Sequence, residues 1–312
     1  MIDPTDRGDE KTGRQTASRS LRSRLDALLK EAPPAKTAIP AEPKAGLRPV
    51  VYQRELPRRP PRGRPMDRAV TGQVLRLEEV VTGAAASPPR GGSAYLVQTS
   101  VAQLAGTERF DQVFAETLRR PEWPLRSRLT DQGFPVDAGP EEVVFLDLET
   151  AGLGSAPLFL IGVLVWAGEG LQALQYFARD YAEEGAVIDL FLTAHQDRRL
   201  LVTFNGKSFD LPFLRARAAA TGIPFGWAPW HLDLLHASRR AWGGVLPDCR
   251  LQTLERQICR RTRSGDIGGE QIPEAYHAFV RTGDATEMVE VIRHNLLDLV
   301  TLAELMTRFP AA

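Results

Sequence analysis

The sequence predicts an α/β domain with a mixed five-stranded sheet and helices on both faces. Residues 143–149, 158–166 and 171–177 are apolar stretches of strand length joined by short turns. Helical and strand patterns then alternate, and the apolar content of 43% with 25% charged residues is ordinary for a globular protein. Short turns join antiparallel neighbours, whereas strand–helix alternation joins parallel ones, so the sheet should be mixed.

The other elements are expected in a fixed order along the chain. Within the main domain, 141–312, they are a helix opening at 184–192, a fourth strand at 200–204, a helix at 211–220, a fifth strand at 231–235 and, after further helices, a long helix at 285–309. Upstream, a small N-terminal extension is expected to pack on this domain. It covers residues 71–140, with strands at 72–81 and 94–99, a helix at 107–119 and a connector at 121–139.

The first 70 residues differ from the rest in charge and composition. They carry 16 Lys/Arg against 9 Asp/Glu, whereas residues 71–312 carry 23 against 30, so zero net charge hides a basic arm on an acidic body. The composition predicts disorder, apart from a short amphipathic helix at 18–31. One face of that helix carries Leu21, Leu25, Leu28 and Leu29. It could dock on the body or on a protein partner, and the arm suits either nucleic-acid binding or a solvated tail.

Several classes of protein are disfavoured by what the sequence lacks. No apolar run approaches the roughly 20 residues needed to cross a bilayer, so no membrane association is expected. The N-terminus lacks the apolar core of a secretory signal, which predicts a cytoplasmic location. Cys249 and Cys259 form no Cys-x-x-Cys pair, so neither a disulfide nor a structural zinc is expected. Residues 152–157 lack the third glycine of a dinucleotide-binding fingerprint and precede a strand, which excludes that interpretation.

Four acidic residues in three short motifs are the candidate chemistry of the chain. Asp147 and Glu149 are two apart near the end of a predicted strand, so both side chains leave the same face. Asp210 lies five residues after Asn205, in the turn between a strand and a helix, and Asp298 lies on the last long helix. Converging carboxylates repel one another, and phosphodiester hydrolysis uses such groups to hold Mg²⁺ or Mn²⁺. The set therefore predicts a two-metal-ion nuclease site.

Two basic residues accompany the acidic ones. His294 lies one helical turn before Asp298, and its imidazole suits a residue that orients or deprotonates the attacking water. Lys207, the only lysine after residue 44, lies in the Asn205 turn, where it could contact a phosphate. Each motif also has a structural explanation: an exposed strand end, a helix cap at Asp210, or an ordinary helix pair. Their order and spacing favour the functional interpretation.

These motifs resemble those of the DnaQ-like, or DEDD, 3′–5′ exonucleases, whose fold is ribonuclease H-like. The resemblance rests on Asp-x-Glu at 147–149, Asn-x-x-x-Phe-Asp at 205–210 and the helical acid near the C-terminus. Further stretches resemble the YprB-like group of bacterial ribonuclease H-like proteins. These are residues 203–212, 231–236, 249–255 and 272–276, and the resemblance as a whole covers about 141–310.

The resemblance implies 3′–5′ exonucleolytic cleavage of DNA or RNA by two-metal-ion catalysis. The residues that would bind the two Mg²⁺ or Mn²⁺ ions are Asp147, Glu149, Asp210 and Asp298. Asn205 and Lys207 would contact the substrate, and His294 would align the water. In DEDD enzymes the last motif carries a His five residues before its Asp or a Tyr four before it, whereas His294 stands at the four-residue spacing. Asp233 and His231 resemble group-specific positions for which a structural role is expected.

Two alternatives to an exonuclease stay open. The unusual spacing of His294 motivates a nucleic-acid-binding adaptor or repair protein that cleaves weakly or not at all. A repair or recombination endonuclease of the same fold would differ from an exonuclease in cutting a circular substrate. The motifs do not distinguish DNA from RNA, because that choice depends on contacts to the 2′-hydroxyl.

Overall fold

The structure, a computed structural model, describes residues 74–104, 107, 109–135 and 139–310. The strands in this part of the chain form one mixed sheet. They are β1 (Ala84–Ala86), β2 (Ala94–Ser100), β3 (Val143–Thr150), β4 (Leu158–Ala167), β5 (Gly170–Phe177), β6 (Leu200–Thr203) and β7 (Trp230–Asp233). The sheet order is β1-β2-β5-β4-β3-β6-β7, in which β3, β6 and β7 are parallel and the other pairs are antiparallel.

The α-helices cover both faces of this sheet. In chain order they are α1 (Leu77–Val80), α2 (Phe110–Arg119), α3 (Arg126–Thr130), α4 (Glu184–His195), α5 (Asp210–Ala220), α6 (Leu234–Trp242), α7 (Leu251–Gln257), α8 (Ile272–Thr282) and α9 (Met288–Thr307). Among the residues that the structure describes, no helix combines the length and apolar character needed to cross a bilayer.

The sheet has seven strands where five were predicted, and the two additional strands precede residue 141. β2 pairs with β5 from Tyr95 opposite Phe177 to Ser100 opposite Gln172, and β1 pairs with β2. The prediction treated this segment as packing on the domain, because a local pattern does not show which distant strand it will join. The segment instead extends the edge of the sheet.

The strand predicted at 72–81 is wrong where the structure describes it. Leu77–Val80 is helical, and the first strand begins only at Ala84. The backbone N–H of Arg76 donates to the Glu79 carboxylate at 2.9 Å, which stabilises a helical turn that the alternation of apolar residues did not indicate.

The strands predicted from residue 143 onward correspond to β3 to β7. The last of them ends at Asp233, earlier than predicted, because the Asp233 side chain caps α6. The predicted helix at 107–119 begins at Phe110, the connector contains the short α3, and the long C-terminal helix spans Met288–Thr307. The basic arm at 1–70 and its helix at 18–31 lie outside the described residues.

Two hydrophobic cores hold the helices against the sheet. Residues 158–165 of β4 are all buried, as expected for a central strand covered on both sides. One core contains Phe159 stacked on Tyr276 of α8, with ring centroids 3.9 Å apart. The other contains Phe114 of α2 against Phe145 of β3, with centroids 5.7 Å apart.

Helix α9 belongs to both cores. Met288, Val291 and Ile292 pack in the first core, and the side chains from Leu299 to Met306 contribute to the second. The part of α9 between these two groups carries His294 and Asp298, and packing of the helix before and after it holds these residues over the sheet.

Candidate active site

The four predicted acidic residues come from three elements that meet at β3. Asp147 and Glu149 alternate with the buried side chains of Leu146 and Leu148 along the strand. Asp210 is the first residue of α5, and Asp298 lies in α9. The structure brings all four within electrostatic reach, because the charges of the other three act together on the Asp147 carboxyl group.

Burial and mutual repulsion raise the pKa of the two strand carboxyl groups. Burial has the largest effect on Asp147, and the charges of Asp298, Glu149 and Asp210 raise its pKa further, well above the ordinary range. Burial is also the first cause of the shift at Glu149, whose pKa is raised to about 8 although the neighbouring His294 opposes the change. Burial and repulsion therefore favour the protonated form of both groups, and an added positive charge would favour the ionised form.

Asp210 is tied directly to β3. The N-cap of α5 is Phe209, so the helix-cap explanation of Asp210 does not apply. The Asp210 side chain is buried, and burial raises its pKa to about 7 against hydrogen bonds from its own backbone N–H and that of Leu148. Leu148 stands between the two strand acids, so the effect of its backbone N–H on the pKa of Asp210 indicates that Asp210 lies beside them.

His294 and Asp298 lie in a closed ring of alternating charges. Arg263 Nη2 is 2.5 Å from Asp298 Oδ1, and Arg263 Nη1 is 3.2 Å from Asp266 Oδ2. His294 Nδ1 is 3.1 Å from both Asp266 oxygens, and its Nε2 is 3.5 Å from Asp298 Oδ2. Two cationic groups therefore bridge the same two carboxylates.

The ring makes His294 a cation and fixes its orientation. Burial lowers the pKa of the imidazole, but the hydrogen bond to Asp266 and the charges of Asp298, Glu149 and Asp266 outweigh burial and raise it to about 9. Because Asp266 holds Nδ1, the nitrogen directed toward the acidic residues is Nε2.

Arg263 forms a further ion pair with a buried carboxylate, that of Glu255. Its side chain is 6% exposed, and its Nε lies 2.6 Å from Glu255 Oε2. Glu255 is buried as well and accepts a hydrogen bond from Thr301 Oγ1 at 3.1 Å. Sequence reasoning missed Arg263 and Asp266. Arg263 ends an arginine-rich run at 260–263 in which no spacing distinguishes a buried member from exposed ones.

The turn before α5 carries the two predicted substrate-binding residues. Asn205 adopts a left-handed backbone with φ of 66°, and both Asn205 and Lys207 have exposed side chains. Their backbone N–H groups donate to Asp233 Oδ1 at 2.9 Å and Oδ2 at 3.1 Å. Asp233 therefore has the expected structural role. His231 Nε2 lies 2.8 Å from Thr203 Oγ1 at the base of the same turn.

The chemistry of these residues fits hard divalent cations such as Mg²⁺ or Mn²⁺. Carboxylate oxygens are their preferred ligands, and a nearby cation would offset the burial, and at Asp147 and Glu149 the repulsion, that raise three of the pKa values. Within the described ranges, no three His, Cys, Asp or Glu side chains already form a metal-binding cluster. The Arg263 ion pair accounts for part of this difference, because an oxygen of Asp298 turns toward Arg263. Asp298 would have to exchange that contact to bind a metal.

Comparisons with known proteins match the part of the chain that carries this site. A family model described as RNase_H superfamily matches residues 144–309, more than half of the chain. YprB of Bacillus subtilis (strain 168), titled an uncharacterised protein, is 30% identical over 166 residues, which cover 52% of this chain and 40% of YprB. The solved family B DNA polymerase of the hyperthermophilic archaeon Pyrobaculum calidifontis aligns with 52% of this chain and 24% of the polymerase, with 19% identity and a TM-score of 0.44.

Proposed function

This chain belongs to the RNase_H superfamily as a YprB-like member, and on that premise we propose that it is a metal-dependent 3′–5′ exonuclease acting on DNA or RNA. Membership of the superfamily supports a nuclease-like function. The observation that carries the finer proposal is the convergence of four acidic side chains from β3, α5 and α9, three of them with raised pKa values. Gathering four largely shielded acidic side chains in one place costs free energy, and such clusters with raised pKa values are typical of functional sites.

Two bound Mg²⁺ or Mn²⁺ ions would polarise the scissile phosphate and lower the pKa of a water molecule. The residues proposed to hold them are Asp147, Glu149, Asp210 and Asp298. Asp147 and Glu149 project from one strand face, Asp210 is joined to the same strand at Leu148, and Asp298 approaches from α9.

His294 is proposed to orient the attacking water. Asp266 binds its Nδ1, so that Nε2 is presented on the side of Asp298 and Glu149. The same carboxylates keep the imidazole protonated, and a protonated imidazole donates but does not accept a hydrogen bond. Neutralising those charges would remove the cause of the raised pKa and allow Nε2 to accept a proton.

Substrate attraction must come from outside the acidic cluster. Residues 71–312 are net acidic, whereas the arm at 1–70 is basic. Lys207 and Asn205 are exposed on the turn that leads into Asp210, and we propose that they contact a phosphate next to the scissile one.

The test is a cleavage assay on the purified full chain. DNA and RNA, single- and double-stranded and labelled at the 5′ end, should shorten stepwise with Mg²⁺ or Mn²⁺ and stay intact with EDTA. Asp147→Asn and Asp298→Asn should each lower the rate by about 100-fold or more. Asp111→Asn is a matched control, because this half-buried acid on α2 accepts a backbone hydrogen bond from Leu171 away from the site. Parental rates in both site variants would refute the proposal.

A second candidate is a nucleic-acid-binding adaptor that does not cleave. The observation that favours it is that Arg263 already binds an oxygen of Asp298. An adaptor would bind DNA or RNA with an affinity that survives Asp147→Asn, and would leave every substrate intact with either metal. An endonuclease of the same fold would instead cut a circular substrate.

A further inference from the structure

A row of three residues crosses the sheet beside the acidic cluster. Asp147 in β3 is the register partner of Gly162 in β4, and Gly162 is the register partner of Gln175 in β5. Asn295 of α9 lies directly over the middle of this row. A Cβ atom at position 162 would overlap the Asn295 amide, at 2.6 Å from its Cγ. The glycine in the middle of an apolar strand thus leaves the space that the Asn295 side chain fills.

The Asn295 amide joins the two ends of the row. Its Nδ2 donates to Asp147 Oδ2 at 2.8 Å and to the Asp147 carbonyl oxygen at 3.2 Å. Its Oδ1 accepts from Gln175 Nε2 at 2.9 Å, and Gln175 Nε2 also donates to the Ile292 carbonyl oxygen at 2.7 Å. If the Asn295 amide were flipped, its oxygen would face the oxygen of Asp147 and its NH₂ group would face the NH₂ group of Gln175. Gln175 therefore fixes the orientation in which Asn295 donates to Asp147.

Neither amide is required by the local secondary structure. Asn295 is 0% exposed in the middle of α9, and Gln175 is 1% exposed in β5, so neither caps a helix or a strand end. Burying two amides among apolar residues costs free energy that their hydrogen bonds only offset, and apolar side chains of the same shape could replace both with little loss. The two buried amides are therefore best explained by what their hydrogen bonds reach, which is the Asp147 carboxylate.

We propose that Asn295 and Gln175 are positioning residues for Asp147. Asn295 holds Oδ2 and thereby sets the rotation of the carboxylate, and Gln175 holds Asn295 in the orientation that donates. Gly162 makes this arrangement possible because it has no side chain to occupy the space of the Asn295 amide. The inference rests on the proposed function in that Asp147 is taken as a metal ligand, and it adds the residues that orient that ligand.

The test measures Mn²⁺ binding by calorimetry without nucleic acid, together with kcat and KM for cleavage. Gln175→Leu and Asn295→Leu should each raise the Mn²⁺ dissociation constant about 10-fold or more and lower kcat with little change in KM. Because both act through one chain of hydrogen bonds, the double variant should be no worse than Asn295→Leu alone. Gly162→Ala should have the same effect by displacing the Asn295 amide.

The matched control is Tyr276→Phe. It removes a buried hydrogen bond to the Ala178 carbonyl oxygen at 3.1 Å, away from the acidic residues, and should lower thermal stability without changing Mn²⁺ affinity. If Asn295→Leu does not fold, Gln175→Leu and Gly162→Ala provide the same comparison. Parental Mn²⁺ affinity in folded variants, or no Mn²⁺ binding by the parent, would overturn the inference. A parent that binds Mn²⁺ but cleaves nothing would instead refute only the proposed function.

Discussion

The buried guanidinium of Arg263 is the shared counter-ion of three carboxylates, and replacing it by Met tests how much the fold depends on it. The exposed side-chain fractions are 6% for Arg263, 3% for Glu255, 11% for Asp266 and 16% for Asp298. Met preserves much of the aliphatic stem of Arg263 but leaves these acids without their common cation. We expect a loss of about 3–5 kcal/mol in the free energy of unfolding, because removing one partner of a buried pair leaves the other charge uncompensated.

The expected loss in the free energy of unfolding is that of one broken ion pair, although Arg263 contacts three carboxylates, because each carboxylate keeps another contact. Asp266 and Asp298 keep His294, and Glu255 keeps the hydrogen bond from Thr301. Removing Arg263 therefore leaves the three carboxylates short of one positive charge, and each of them keeps another partner.

Urea unfolding at neutral pH in EDTA measures the effect. The control is Arg120→Met, because Arg120 and Glu116 are 59% and 65% exposed and 3.8 Å apart. An exposed pair of this kind contributes less than about 1 kcal/mol. If Arg263→Met lowered the free energy of unfolding by no more than Arg120→Met does, Arg263 would not be the counter-ion that stabilises these carboxylates.

Two further predictions concern pH and the turn before α5. Glu149 has a folded-state pKa of about 8 against an ordinary 4.5, so the folded protein binds this proton more tightly than the unfolded chain does. The free energy of unfolding of the metal-free protein should therefore fall as pH rises from 4.5 to 8. Urea titrations at successive pH values measure this decline, and Glu149→Gln should make it smaller. An equal decline in the variant would show that Glu149 does not cause it. Asp233→Ala removes the acceptor of three backbone N–H groups, those of Asn205, Lys207 and Leu235. A loss of about 2 kcal/mol is expected, with faster amide exchange at Asn205 and Lys207. Asp180→Ala, which removes one such bond on an exposed turn, is the control, and equal exchange in the two variants would argue against a role for Asp233 in holding the turn.

The parts of the fold that sequence could predict are those with a local signal. β3 to β7 follow from apolar runs between turn residues, and the acidic motifs could be ordered because each adjoins one of these elements. The place of β2 could not be predicted, because its pairing with β5 depends on which sheet edge is open after folding. α1 was misassigned because the apolar residues around it suit a strand, whereas the capping interaction of Glu79 with Arg76 is visible only in the structure.

The same limit applies to the candidate site. The carboxylates lie in motifs with recognisable spacing, whereas the groups that hold them come from elsewhere in the chain. Gln175 and Gly162 are a polar residue and a glycine within apolar strands, and nothing in their spacing connects them with the acidic motifs. Arg263 and Asp266 lie in a loop without periodicity, and only tertiary packing selects them from many similar charged residues.

Helix α9 has a consequence for motion as well as for geometry. Its first turns pack in one hydrophobic core and its last turns in the other, so sliding the helix would disturb both cores at once. Asn295 and Asp298 move with it, and Asn295 carries the orientation of Asp147 through its hydrogen bond. We therefore expect this part of the site to be among the least mobile parts of the domain.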